Sequence, residues 1–165
     1  MCTPASIAKH PIHPMLVVLP MGLWVFSLFA DLFFAAGRGD VWEDVAFYTM
    51  GGGIAGALIA AVPGLIDFFS LKERGTRRLA IYHMIVNLAA TAIFAVNLYL
   101  RFAQPQLGLV PVGLSIIGLV LIGSGGWFSG ELVYVRGVGV DPPAPQRRNA
   151  PELRQIRGGR ARRIV

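Results

Sequence analysis

His10-Pro11-Ile12-His13-Pro14 leads directly into the apolar run Met15-Leu16-Val17-Val18-Leu19-Pro20, and this stretch decides how the chain begins to fold. Proline lacks an amide hydrogen and has a fixed φ, so it is tolerated in the first turn of a helix. Proline also disfavours the α conformation in the residue before it, which predicts that His10 and His13 are extended or capping residues. The stretch is interpreted as a rigid lead-in that holds two imidazoles at the mouth of a helix bundle.

The composition of the chain is that of a membrane protein. Of its 165 residues, 55% are hydrophobic and 15% are charged, whereas a soluble domain has about a quarter charged. Four apolar segments each exceed the roughly 20 residues that cross a bilayer core: about Pro14–Ala36, Asp44–Leu71, Arg78–Phe102 and Leu109–Tyr134. Because a chain in lipid must satisfy its own backbone hydrogen bonds, each segment is predicted to be a helix. Short connections then predict an all-α, four-helix transmembrane bundle with antiparallel neighbours.

The predicted bundle occupies residues 1–140, and residues 141–165 form a separate basic tail. The tail contains seven arginines against Asp141 and Glu152, and therefore contributes +5 of the chain's net charge of +6. Its few apolar residues and its prolines predict disorder. The arginines are interpreted as contacts to anionic lipid, with recruitment of a partner as the alternative. Nucleic-acid binding is not predicted, because no aromatic residues alternate with the arginines.

Lysine and arginine counts predict the orientation of the helices. Without the tail, six Lys or Arg residues lie on one side of the predicted bundle, whereas the other side has two, Arg38 and Arg101. The positive-inside rule therefore places both termini in the cytoplasm, in a multi-pass protein of a bacterial inner membrane. Cys2 is the only cysteine. This excludes a disulfide framework, a CxxC pair and a covalent haem attachment motif within this sequence.

Small residues and polar residues both recur at helical spacing. Gly52, Gly56, Ala60 and Gly64 on the second segment, and Gly126 and Gly130 on the fourth, predict close helix packing, either within the chain or in a homo-oligomer. Polar residues in apolar helices tend to face the bundle interior, and at 100° per residue one such stripe is predicted on each helix. The stripes contain, in chain order, His13 and Asp31; Asp67; His83, Asn87, Asn97 and Arg101; and Glu131 with Trp127 and Ser124.

Depth divides these residues into two groups. Asp31 and Arg101 fall toward the outer end of the bundle with Asn97, and an ion pair is expected there. The second group is expected at one level near the cytoplasmic end of the bundle, and it contains His10, His13, Asp67, His83 and Glu131. Asn87 falls at the same end, one helical turn beyond His83. Imidazoles with carboxylates suit a transition metal such as Zn, Fe, Mn or Ni.

Two further interpretations of the cytoplasmic-side group remain open. His13 and His83 lie on different helices and could ligate a b-type haem between them. Alternatively, the group is a hydrogen-bonded network that ties the helix ends together. Both cofactor hypotheses and the network predict a carboxylate within hydrogen-bonding distance of His13 or His83.

Several motifs resemble those of a bacterial four-helix membrane-protein family that is catalogued as a domain of unknown function. They are His-Pro-Ile-His-Pro at 10–14, Gly-Leu-Ile-Asp at 64–67, Arg-Arg-Leu-Ala-Ile-Tyr-His at 77–83 and Ser-Gly-Gly-Trp-Phe-Ser-Gly-Glu-Leu-Val-Tyr at 124–134. The resemblance covers about residues 8–140. Some members are fused to or encoded beside Rieske-type iron–sulfur domains, so the resemblance implies a connection with electron transfer. Where the family is expected to have a histidine before Gly-Val-Gly-Val, this chain has Arg136, which removes one candidate ligand.

The sequence contains no recognisable pairing of a nucleophile with a base, so we expect a non-enzymatic protein. Its predicted function is that of an inner-membrane protein whose His/Asp/Glu cluster is structural or accessory to membrane electron transfer. The alternatives are a haem- or metal-binding redox module and a scaffold that recruits a partner through its tail. The expected partners are the lipid bilayer and either a second copy of the chain or a redox protein.

Overall fold

The computed structural model describes residues 4–8, 10–104 and 108–140. In that part of the chain, four helices are long and apolar enough to cross a membrane, and we number them 1 to 4: Ile12–Ala35, Val41–Ser70, Arg74–Ala103 and Val110–Val135. They contain 24 to 30 residues, which at 1.5 Å per residue is about 36–45 Å. The predicted all-α four-helix transmembrane bundle is confirmed, and the predicted tail lies outside the described residues.

Helix 1 begins at the proline-rich lead-in. A break at Val17 divides it into Ile12–Leu16 and Val18–Ala35. The prediction that His13 is extended or capping is wrong, because His13 is the second residue of the short first piece. Pro14 follows it in the first turn, where amide hydrogens have no helical partner and a proline removes no bond. His10 is extended as expected, in a two-stranded antiparallel ribbon that pairs Ser6–Ile7 with His10–Pro11.

The four helices form two tight hairpins. Helix 1 packs against helices 2 and 4, and helix 3 packs against the same two, so helices 1 and 3 face each other across the diagonal. Backbones approach most extensively within the helix 1–2 hairpin and within the helix 3–4 hairpin. A Cβ added at Gly56 would lie 3.3 Å from Pro20 Cδ, and one at Gly52 would lie 3.3 Å from Leu23 Cδ1. The small residues of helix 2 therefore serve packing within the chain.

Side chains from the diagonal helices 1 and 3 meet on the bundle axis in three layers. Each layer contains one residue from each helix, and we name the layers by their chemistry. They are the histidine layer, the ring layer and the ion-pair layer, formed by His13 with His83, Trp24 with Phe94, and Asp31 with Arg101. At 1.5 Å per residue, the ring layer is about 16 Å from the histidine layer and about 10 Å from the ion-pair layer.

Equivalent residues of the two hairpins lie at constant sequence spacings, and we call this correspondence the pseudo-two-fold relation. In all three layers the partners are 70 residues apart in the sequence, as in the pair Asp31 and Arg101. On helices 2 and 4, the buried Gly53 corresponds to the buried Gly118 at a spacing of 65 residues. Helices 1 and 3 start at the same end, so the hairpins are parallel repeats of one helical unit.

The ring layer shows this correspondence in its packing. Trp24 and Phe94 stack with ring centroids 4.3 Å apart and planes 9° from parallel. Gly53 lies against Trp24 beside the indole nitrogen, and Gly118 lies against Phe94, where an added Cβ would be 2.7 Å from Phe94 Cε2. Each hairpin therefore contributes one ring and one glycine that makes room for it. The Trp24 indole N–H donates to the Met50 carbonyl at 3.3 Å, so the buried ring has its hydrogen-bond partner.

Candidate functional site: a histidine pair on the bundle axis

His13 is held by the helix beside it in the first hairpin. Its Nδ1 lies 2.7 Å from the carbonyl oxygen of Ala60. A carbonyl oxygen only accepts hydrogen bonds, so Nδ1 carries the hydrogen and donates. The ring rests on Gly64, where an added Cβ would be 2.7 Å from Nδ1. Glycine at this position is therefore required for the imidazole to reach the backbone of helix 2.

His83 is held in the equivalent way in the second hairpin. Its Nδ1 donates to the carbonyl oxygen of Gly125 at 3.0 Å. Gly125 is 65 residues after Ala60, as the pseudo-two-fold relation requires. Asn87, one turn further along helix 3, donates to the His83 carbonyl at 2.7 Å and has its amide nitrogen 3.3 Å from His83 Nδ1. A Cβ at position 125 would lie 2.6 Å from that amide nitrogen, so this glycine also permits close packing.

The two imidazoles face each other across the axis. Their ring centroids are 6.2 Å apart and their planes are nearly perpendicular, at 86°. With Nδ1 protonated and donating, the neutral ring carries its lone pair on Nε2. A backbone carbonyl on Nδ1 is also the usual outer partner that orients a metal-ligating histidine. The pair thus presents two oriented imidazoles, one from each hairpin, with the lone pair of each on Nε2. The Asn87 amide nitrogen lies 3.5 Å from Nε2 of His83.

The other residues expected in this cluster have separate partners. Asp67 accepts a hydrogen bond from the Ala5 amide at 2.9 Å. Glu131 Oε1 lies 4.0 Å from Arg136 Nε. The exposed His10 bonds the carbonyl of Ala8 within the terminal ribbon. In the described part of the chain, no group of three or more His, Cys, Asp or Glu residues is placed to hold a metal ion.

The prediction that a carboxylate lies within hydrogen-bonding distance of His13 or His83 is therefore wrong for the described residues. In the described residues, His13 and His83 bond backbone carbonyls instead, because these helices pack at glycine and alanine positions that bring the backbone within reach of the rings. Asp67 has a different role: it fastens the N-terminal segment over this end of the bundle. Ala5 is 8% exposed there, and its carbonyl accepts from the Ile12 amide at 3.0 Å.

The opposite end of the bundle contains the expected ion pair. Arg101 Nη1 and Nη2 each donate to one oxygen of Asp31 at 2.7 Å. Arg101 Nε donates to Asn97 Oδ1 at 3.2 Å, and Asn97 Nδ2 donates to Ser115 Oγ at 3.0 Å. Asp31 is 4% exposed and the Arg101 side chain 9%. Bidentate geometry with further hydrogen bonds is what a buried charge pair needs to offset its desolvation.

Sequence reasoning missed Ser115 and misplaced the stripe on helix 4. Ser124 and Trp127 point away from the bundle, and Trp127 is 79% exposed. The buried face of helix 4 instead contains Ser115, Gly118, Ile122 and Gly125. The spacing of 3, 4 and 3 residues between these positions was the signal that could have identified it.

Outside the membrane-spanning helices, Glu73 caps helix 3. Its carboxylate accepts from the backbone amides of Gly75 and Thr76. Hydrogen bonding from the Thr76 side chain and from these two amides, together with the charge of Arg136, lowers the pKa of Glu73 from 4.5 to about 2. Arg136 Nη1 is 3.5 Å from Glu73 Oε2. Arg136 therefore links the start of helix 3 to the end of helix 4.

The family described as predicted membrane protein (DUF2231) matches residues 9–142. The chain belongs to this family. Its function is unknown, so membership supports the membrane assignment and supplies no reaction. No curated protein and no solved structure matches the chain.

Proposed function

We propose that this DUF2231 protein is an accessory component of membrane electron transfer in which His13 and His83 would hold one b-type haem. The observation that carries the proposal is the matched pair of Nδ1–carbonyl bonds, to Ala60 and Gly125. These bonds set the same tautomer on both rings. They leave the lone pair of each ring on Nε2, the usual haem-binding nitrogen. The Asn87 amide, whose nitrogen is 3.5 Å from His83 Nε2, would have to turn away for that atom to bind iron.

The spacing of the rings supports binding of one iron by both histidines. Metal–imidazole bonds are about 2.0–2.1 Å long, so two imidazoles can share one iron only if their rings lie within a few ångströms of each other. The centroids of His13 and His83 are 6.2 Å apart. Four-helix bundles build cofactor sites from side chains on facing helices, and helices 1 and 3 face each other across the diagonal.

The number of ligands favours haem over a bare metal ion. A structural or catalytic metal ion normally takes three or four protein ligands. The described residues bring together two imidazoles and no third metal-binding side chain. Haem supplies four equatorial nitrogens of its own and needs two axial ligands from the protein. When bound, haem would supply one-electron chemistry, while the chain's residues would orient the ligands and exclude water.

An absorbance spectrum tests the proposal. Protein expressed with a haem precursor and purified in detergent should show a Soret band with about one haem per chain. His13→Ala and His83→Ala should each abolish the band. His10→Ala is the matched control and should keep the band, because His10 is exposed and, among the described residues, its ring bonds the Ala8 carbonyl and neither of the other two histidines. Circular dichroism of each variant checks that the helices are retained.

Three outcomes would overturn the haem proposal. The first is a wild-type protein without a Soret band after haem reconstitution. The second is a band that survives in both axial-ligand variants. The third is a stoichiometric transition metal without haem, detected by elemental analysis and lost in the same two variants. In the first case, with no metal found, the pair is a structural tie between helices.

We also propose that the protein lies in a bacterial inner membrane with both termini in the cytoplasm and that it has no enzymatic activity of its own. The support is the excess of Lys and Arg at the histidine end, where Lys72 lies between helices 2 and 3 and Arg74, Arg77 and Arg78 lie in the first turns of helix 3. Reporter fusions at Asp40 and Val165 should report opposite sides of the membrane. The same side for both would contradict this topology.

An accessory role also requires a partner, either a redox protein or a second copy of the chain. Gly126 is available for helix contact, because no atom of the described residues lies within 4 Å of a Cβ added there. Cross-linking in native membranes should capture the partner. If only monomer is found, and haem reduction in membranes does not depend on other proteins, the accessory role is wrong.

A further inference from the structure

A cavity lies beside the ion-pair layer, at the end of the bundle opposite the histidines. Its volume is about 300 Å³, at the lower limit for pockets that bind small molecules. It is lined by Asp31, Phe34, Glu43, Arg101, Leu109 and Val112, among others. Because the helices are longer than the roughly 30 Å hydrocarbon core, their ends reach the depth of the lipid headgroups.

Arg101 has hydrogen-bonding capacity left in this cavity. A guanidinium has five N–H donors. Within the described residues, Arg101 uses one on Asn97 and two on Asp31, which leaves two. The side chain is 9% exposed, so these two donors are poorly supplied by bulk water. A ligand that places an acceptor oxygen in the cavity would satisfy them.

Glu43 adds an unbalanced negative charge at the cavity. Asp31 and Arg101 neutralise each other in their bidentate pair. The Glu43 side chain is exposed and has no hydrogen-bond or ion-pair partner among the described residues. The cavity therefore carries a net charge of about −1. A ligand that is purely anionic would be repelled, whereas an ammonium group would pair with Glu43.

We infer that this cavity binds the zwitterionic headgroup of phosphatidylethanolamine. The ammonium pairs with Glu43, a phosphate oxygen accepts from the remaining N–H groups of Arg101, and the adjoining lipid contacts the apolar wall formed by Phe34, Leu109 and Val112. Both groups of the headgroup are needed. Phosphatidylglycerol lacks the ammonium, and the quaternary ammonium of phosphatidylcholine has no N–H to donate to a carboxylate.

Lipid binding to the purified full chain tests this inference independently of any haem. In detergent, added phosphatidylethanolamine should raise the melting temperature more than phosphatidylcholine or phosphatidylglycerol does. Native mass spectrometry should retain one such lipid per chain. Soluble glycerophosphoethanolamine should give a smaller shift, because it lacks the acyl chains. A shift in melting temperature of equal size would show that the cavity binds the free zwitterion and not the lipid.

Substitution at Glu43 gives the deciding measurement. Glu43→Gln keeps the shape of the side chain and should remove the preference for phosphatidylethanolamine over phosphatidylglycerol. Asp44→Asn is the matched control: it removes a carboxylate from the next residue, which is not among those lining the cavity, and should keep the preference. The inference is overturned if phosphatidylglycerol binds as well as phosphatidylethanolamine to the wild type. It is also overturned if Glu43→Gln keeps the preference, or if both variants lose it equally.

Discussion

The histidine layer and the ion-pair layer lie at opposite ends of the two parallel repeats, and they connect the repeats differently. In the ion-pair layer, Asp31 of one hairpin bonds directly to Arg101 of the other. In the histidine layer, His13 and His83 each bond a carbonyl of their own hairpin and face each other at 6.2 Å. At the ion-pair end, oppositely charged residues bond to each other across the two hairpins. At the histidine end, two identical residues do not bond to each other, and each keeps a lone pair on Nε2. The direct bonds between Asp31 and Arg101 therefore hold the two hairpins together at the ion-pair layer.

The largest effect is expected from breaking the ion-pair layer. Asp31→Leu leaves the Arg101 charge buried without a partner, and this typically costs about 3–5 kcal/mol. Thermal unfolding in detergent measures the loss. Asp40→Asn, an exposed carboxylate at the start of helix 2, should change stability by less than about 0.5 kcal/mol.

A double variant sharpens this result. Asp31→Leu combined with Arg101→Leu removes both charges, so it should recover most of the lost stability. If the double variant is as unstable as the single one, the lost stability came from packing and not from the unpaired charge.

The second largest effect is expected in the ring layer, which lies between the two ends. Gly118→Leu drives a side chain into the space occupied by Phe94, and overpacking of this kind costs about 1–3 kcal/mol. Gly123→Leu is the control on the same helix, because nothing lies within 4 Å of its added Cβ. Equal melting temperatures for the two variants would contradict the burial of Gly118.

The inward faces of helices 1 and 3 could be predicted from the sequence, because their polar residues recur at helical spacing in apolar surroundings. The stripe from His83 to Arg101 and the pairing of Asp31 with Arg101 follow from that pattern and from depth. Helix 4 could not be predicted in this way. It faces the bundle with small residues such as Gly118 and Gly125, which carry no polarity signal, while Trp127 faces outward.

The partners of the histidines were also beyond sequence reasoning. Ala60 and Gly125 accept through backbone carbonyls, and every residue has such a carbonyl. Only the geometry of the hairpins selects these two. The pseudo-two-fold relation is hidden for a related reason. Residues at equivalent positions of the two hairpins can have the same role in packing without being the same amino acid. Trp24 and Phe94 are an example.

A smaller effect is expected from the histidine layer. His13→Ala and His83→Ala each remove one hydrogen bond to a carbonyl, which is worth about 1 kcal/mol. Because each bond lies within its own hairpin, the two hydrogen-bond losses should be largely independent in protein without a cofactor. The coupling should not exceed the about 0.5–1.5 kcal/mol of an edge-to-face ring pair. In haem-loaded protein a strong coupling should appear, since either ligand depends on the other. Strong coupling without any cofactor would show that the rings interact directly and would weaken the contrast with the ion-pair layer.

The smallest effect is expected at the surface of the histidine end, where Glu73 caps helix 3 and approaches Arg136. The pKa of Glu73 is about 2 in the folded protein and near 4.5 when the chain is unfolded, so the folded state favours the charged carboxylate. This stabilisation is complete above pH 4.5 and is lost as the pH falls through the folded-state pKa.

Glu73→Gln should therefore lower the melting temperature at pH 7, and the difference from wild type should shrink toward zero as the pH approaches 2. Asp44→Asn, in the first turn of helix 2, should not reproduce this pH dependence at helix 3. A difference between Glu73→Gln and wild type that stays constant from pH 7 to pH 2 would show that the cap acts through shape and not through its charge.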